Sequence, residues 1–218
     1  MSLVQVRERI ASAAESAGRA PEEVTLVVVT KARSVVEIAG LYEQGHRHFG
    51  ENRAQELAAK VGELPNDITW HFVGPLQTNK VRIVRPIVRW LHSLDREELL
   101  AAWVKGPGKP PSVLIQVRIG GEETKHGVDP EAAVAFGLLA TAVGIEVKGV
   151  MAIPPPVAES SKAAPSLRQL AAIGADLARS IPGATEVSMG MSDDFETAIV
   201  AGATIVRVGR AIFEPVPN

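Results

Sequence analysis

The sequence predicts an α/β fold: a closed (β/α)8 TIM barrel, built as a single domain with one extra helix at its N-terminus. Three observations carry this. Apolar runs alternate with helical segments along the whole chain, and strict βα alternation means a parallel sheet with right-handed crossovers. The clearest run, in VTLVVVTK from Val24 to Lys31, has five apolar side chains and one Thr over Val24 to Val29, which fits a strand covered on both faces. Eight such units fit into 218 residues, and barrels of roughly 200 to 250 residues are common as single domains. An open doubly wound sheet is the alternative. No composition shift, low-complexity segment or linker marks a boundary, so residues 1–218 read as one unit.

Leu3, Val6, Ile10 and Ala14 recur at helical spacing, giving an amphipathic helix over residues 3–17 that Gly18 stops. Strand one covers Val24 to Val29. Ser34 caps a helix reaching Glu43. Gly45 turns the chain into a short strand, Arg47 to Gly50, followed by Glu51 and Asn52, and a helix runs from Arg53 to Val61. Thr69 to Val73 is strand three, leading into GPLQTNK. The basic segment Lys80 to Arg89 begins as a helix and is interrupted by Pro86. Trp90 to Ser93 is strand four, Arg96 to Lys105 a helix, and GPGKPP a loop. Val113 to Ile119 is strand five, and Pro130 opens the next helix, where proline is tolerated. Ile145 to Met151 is strand six; IPPP and a polar stretch to Pro165 precede a helix over Ser166 to Arg179. Glu186 to Met189 and Thr204 to Val208 are the last strands, separated by a helix from Asp193 to Val200. A short helix begins at Arg210.

Composition excludes several classes. Net charge is −2, which argues against a general nucleic-acid binder. There is no cysteine, so there is no disulfide framework and no thiolate chemistry, as suits a cytoplasmic protein. The N-terminal segment lacks the features of a signal peptide. The longest uncharged stretch, Ala132 to Ile145, is shorter than the ~20 residues needed to span a bilayer, so no membrane partner is expected.

Two features carry chemistry. Lys31 ends strand one, and the carboxyl ends of parallel strands are where ligands bind. A lysine there can form a Schiff base, or it can simply mark the strand's exit into water. Near the C-terminus, SMGMSDDF and RVGRAIF each place a glycine between a strand and a helix. Barrels often bind phosphate where the loops after strands seven and eight meet a short helix. Ordinary capping by Ser and Gly reads the same way. In a closed barrel the two features are neighbours, and lysine beside a phosphate cradle is the signature of pyridoxal 5′-phosphate (PLP) held as an imine.

The segments VVVTKAR, HFGENRAQE, WHFVGPLQTNK, LHSLD, LIQVRIGGEETKHGV, GVMAIPP and SMGMSDDFETAIVAGATIVRVGRAIF follow one another from Val24 to Phe213. In these motifs and their order the chain resembles the PLP homeostasis proteins, also called proline synthetase co-transcribed homologues. That family is similar in fold to the barrel domain of alanine racemases and lacks their second, β-rich domain. The resemblance implies that Lys31 carries PLP as an internal aldimine and that Asn52 lies by the phenolic oxygen. It implies further that Ser192 and the backbone N–H groups of Gly209 and Arg210 hold the phosphate, and that Arg207 faces the pyridine nitrogen. It implies a monomeric PLP buffer and carrier with no established catalytic reaction, PLP-dependent apo-enzymes being candidate recipients. The chain departs from the family's pattern at Thr30-Lys31-Ala32, where Ser-Lys-Thr is usual, at Arg53 for a frequent Tyr, and at Arg210 for a usual Thr.

The residues also suggest rivals. His46 and His48 share a strand face and, with His71 and His92, form a candidate metal set for a hydrolase barrel. Lys31 alone could serve a racemase- or aldolase-like enzyme. Lys80, Arg82, Arg85 and Arg89 form a candidate RNA-binding face. The stretch Val157 to Pro165 reads as a lid or as a plain linker.

Overall fold

The computed structural model describes residues 1–120, 126–154 and 160–214. Eight parallel strands close into a barrel in sequence order, the last pairing with the first. They are β1 (Thr25–Val29), β2 (His48–Glu51), β3 (Thr69–Phe72), β4 (Trp90–Leu94), β5 (Ser112–Gln116), β6 (Val147–Met151), β7 (Glu186–Ser188) and β8 (Ile205–Val208). The helices are α1 (Leu3–Ser16), α2 (Val35–Glu43), α3 (Ala54–Val61), α4 (Val81–Val84), α5 (Glu97–Lys105), α6 (Ala133–Ala142), α7 (Ser160–Ser180), α8 (Phe195–Val200) and α9 (Arg210–Phe213).

Strand alternation sorts side chains into two cores. Val28, Phe49, Trp70, Phe72, Leu91 and Ile115 point outward and are buried beneath the helices. Val27, Leu114, Met151 and Ile205 point inward and fill the barrel with Trp90. Helix α1 buries its predicted apolar stripe of Leu3, Val6, Ile10 and Ala14. It is anchored to α8, with Arg9 paired to Glu196 at 2.5 Å and stacked over the Phe195 ring. Ser2 and Gln5 close its first turn as a reciprocal capping box, and Ser34 and Glu37 do the same for α2.

The structure corrects several boundaries. Helix α7 starts at Ser160 rather than Ser166, with Pro165 inside it; one proline near a helix start removes one i→i−4 bond without ending the helix. Strand β5 stops at Gln116 rather than Ile119, because Val117 bridges Val128 and leads the chain off the barrel. Helix α8 starts at Phe195 rather than Asp193, since Asp194 caps it and accepts from Met191 N–H at 2.6 Å. Ser192 therefore sits in a turn and not at the helix's first residue. The short helix expected from Arg210 follows β8 as α9. Of the stretch read as a lid, Val157 to residue 159 lie outside the described residues, and the rest belongs to α7. Residues 121–125 of the GGEETKHGV segment are likewise outside them.

Candidate cofactor site

Alternation along β1 places Val27 and Val29 on the barrel's inner side, and Lys31 follows two residues beyond the strand's carboxyl end. Val29 pairs with Gly50 of β2, so Lys31 leaves β1 level with Asn52. On the other side Val28 pairs with Val208, which sets Val29 level with Gly209. That approach is tight: a Cβ on Gly209 would lie 2.9 Å from the Val29 carbonyl oxygen. Ser192 Oγ accepts from Ala211 N–H at 3.2 Å, tying the loop after β7 to the start of α9. Lys31, Asn52, Ser192 and Gly209 thus meet on one rim.

The peptide around Lys31 is clamped on both sides. Thr30 N–H donates to Gly50 O at 2.9 Å, and its hydroxyl donates to Glu51 Oε1 at 2.7 Å. Lys60 Nζ donates to Thr30 O at 2.8 Å and to Glu51 Oε1 at 2.5 Å. Glu51 and Lys60 are both buried. Beyond Lys31, Ala32 N–H donates to Glu56 Oε2 at 3.0 Å. That bond, chiefly, with Lys60 and Arg53 nearby, holds the Glu56 carboxyl below its usual range against the opposing effect of burial. Ala32 itself has φ 57°, a conformation that a β-branched residue bears poorly, so its small side chain suits the turn. Lys31 is exposed between these anchors.

Below the rim lies a polar chain through the barrel. Arg207, buried, donates to Ser188 Oγ at 2.7 Å and to Ala152 O at 2.8 Å. Burial brings its guanidinium down to about 10, with Asp194 opposing. Ser188 Oγ meets His92 Nδ1 at 3.0 Å, His92 Nε2 meets His71 Nδ1 at 2.9 Å, and His71 Nε2 meets His48 Nδ1 at 3.1 Å. Each ring-to-ring contact needs one donor and one acceptor. Burial pushes the His71 and His92 pKa values well down, and His48 down, so the rings are neutral. The histidines face inward together, as their spacing suggests, yet they bond in a line. Among the described residues no three His, Asp or Glu side chains converge to hold a metal. His46 lies outside this line, before β2, bonded to His48 O at 2.7 Å.

Asn52 Oδ1 is buried and has no partner; amide assignment permits either amide atom at that position. Gly74 fits directly beneath it, since a Cβ there would come within 2.6 Å of the Asn52 Cβ and backbone oxygen. The exposed Arg210 guanidinium pairs with Asp193. An orphaned polar atom, a glycine-lined corner, a strand-end amine and a buried cation below them are the kinds of group that would hold a phosphorylated aldehyde such as PLP. Tyr42 is bonded to Asp67 at 2.7 Å beneath Arg47, just before β2 and so at the opposite barrel end. Of the four basic residues around α4, Arg85 is buried and Lys80 half-buried, so they do not make one exposed face.

Sequence reasoning missed the Lys60–Glu51 pair, the His92–Ser188–Arg207 connection and Gly74. Only the pair left a trace: Glu56 and Lys60 are one helical turn apart, and Glu51 adjoins Asn52.

A profile described as "Alanine racemase, N-terminal domain" matches residues 1–217. The chain belongs to the alanine racemase N-terminal domain family. Within this family it is similar to the pyridoxal phosphate homeostasis protein of Escherichia coli K12, 39% identical over 220 residues, covering 97% of this chain and 94% of that protein. The protein of the same name from Deinococcus radiodurans is 41% identical, covering 98% of this chain and all of its own length. Among solved structures, PipY of Synechococcus elongatus with PLP bound superposes with TM-score 0.77 at 33% identity, covering 95% of this chain and 99% of that one. Corynebacterium glutamicum alanine racemase superposes with TM-score 0.74 at 16% identity, covering all of this chain and 63% of the enzyme, a likeness of fold alone.

Proposed function

We propose that the chain binds PLP covalently at the Lys31 amine and serves in PLP homeostasis, holding and delivering the cofactor without a reaction of its own. The observation that carries this reading is the placing of Lys31 beside Asn52 on one flank and beside the Ser192–Gly209 corner on the other. In this reading Ser192 and the N–H groups of Gly209 and Arg210 hold the phosphate, and the Arg210 side chain stays with Asp193. Asn52 donates to the phenolic oxygen. Arg207 faces the ring nitrogen. Relatives at 39–41% identity over nearly their whole length carry the homeostasis name, which supports it.

PLP supplies an aldehyde that condenses with amines and, when its ring nitrogen is protonated, an electron sink. With its pKa brought to about 10, Arg207 remains cationic, so it would donate to the unprotonated nitrogen and cannot accept a hydrogen bond from the protonated one. It therefore leaves the sink weak. A racemase also needs a second acid/base opposite the first, and Tyr42, the only tyrosine, is engaged elsewhere. We take residues 1–218 as one PLP-binding unit, monomeric and cytoplasmic, with PLP-dependent apo-enzymes as recipients; no helix among the described residues is long and apolar enough to cross a membrane. The test is spectroscopic. PLP-loaded protein should be yellow and, after borohydride, carry the cofactor's mass on Lys31. Lys31→Ala should lose both signals. A variant that kept them would sink the assignment.

A further inference from the structure

Beside Asn52, on the β2–β4 side of the rim and away from Gly209, lies a cavity of about 460 Å³, a size typical of small-ligand sites. Phe72 and Leu76 form its apolar wall, and Arg53, Lys80 and Arg96 its charged one. No Asp or Glu lines it among the described residues. Two of the cations are held by fixed partners. Arg53 pairs with Glu56 at 3.2 Å. Arg96 pairs with Asp95 at 2.5 Å and donates to Leu76 O at 2.9 Å. Each guanidinium has five N–H donors, so donors remain to face the cavity. Lys80, half-buried, has no ion pair among the described residues and leaves the cavity with a positive excess.

We propose that this cavity is a carboxylate-binding site that selects which amines reach the cofactor. The proposal rests on the reading of Lys31 as the PLP attachment point. Only primary amines exchange with a lysine-bound aldehyde. A cavity lined by cations beside that point repels bare amines and diamines and concentrates those that also carry a carboxylate. The ligand class is therefore the small α-amino acids, and acidic ones with a second carboxylate benefit most.

The test separates recognition from cofactor chemistry. Glutarate has two carboxylates and no amine, and cadaverine is a diamine of the same chain length. Calorimetric titration at low salt, with and without PLP, should show saturable glutarate binding and none of cadaverine. Lys80→Glu should weaken glutarate at least tenfold, and Arg53→Gln should weaken it less, while both variants load PLP as wild type does. Equal binding of both probes, no glutarate binding, or unchanged affinity in both variants would overturn the proposal. Failure of the wild-type protein to load PLP would instead overturn the reading on which it rests.

Discussion

Lys31 and Lys60 show how neighbours decide what an amine does. Lys60 is buried, and three oxygens surround its Nζ: Thr30 O, Glu51 Oε1 and, at 3.6 Å, Glu56 Oε2. Its amine is spent on structure. Removing one partner of a buried pair costs about 3–5 kcal/mol, because the other charge stays behind unpaired. Lys60→Met should therefore lower unfolding free energy by about that amount in urea titrations. Lys60→Met combined with Glu51→Leu should recover most of it, since an apolar replacement of both partners is often neutral. Both variants free the Thr30 carbonyl, so the double variant isolates the effect of the clamp on Lys31. It should bind PLP more weakly than wild type by equilibrium dialysis, although its stability is restored.

At the scale of elements, close approach sets the tolerances. Gly209 brings the start of α9 against the end of β1, and Gly74 brings the β3–α4 loop against Asn52. A methyl group at either position must displace backbone, and overpacking of this kind costs about 1–3 kcal/mol. Gly209→Ala and Gly74→Ala should each lower thermal stability by several degrees and weaken PLP binding; unchanged dialysis curves would show that these corners do not shape the site. The order and type of strands and helices were legible in the sequence because apolar runs and capping residues are local signals. That Lys31 and Gly209 share a rim was legible too, since closure sets the first strand beside the last, whereas Asn52 came only with the family resemblance. The start of α7 was not, because Pro165 reads as a boundary whether or not a helix tolerates it. The Lys60 clamp and the line of histidines depend on contacts between distant residues. The spacing of His48, His71 and His92 gives their shared face but not whether they converge or queue.

Over the whole molecule, buried histidines are neutral, in the barrel's interior and, at His46, between α1 and β2. Burial, above all, brings His46 to about 4, and its Nδ1 accepts from Arg7 at 3.3 Å, which requires the neutral ring. A histidine whose folded pKa lies below the unfolded 6.5 binds fewer protons folded than unfolded, so stability rises with pH between the two values. The contribution is complete above pH 6.5 and is lost as pH falls toward about 4. His46 alone is worth about 3 kcal/mol over that window, by the conversion of pKa shifts into free energy. His71 and His92 add to it in the same direction. Melting temperature should drop steeply between pH 6.5 and 4.5, and His46→Gln should flatten the slope; a level profile would contradict the neutral interior.

Pairing of β8 with β1 also sets an order of events. Lys31, the proposed attachment point, emerges early in synthesis, but the corner proposed to grip the phosphate exists only once the final strand docks beside the first. A growing polypeptide on the ribosome would hold its reactive amine without the means to retain a vitamin, and capture of the coenzyme would mark the moment the ring shuts.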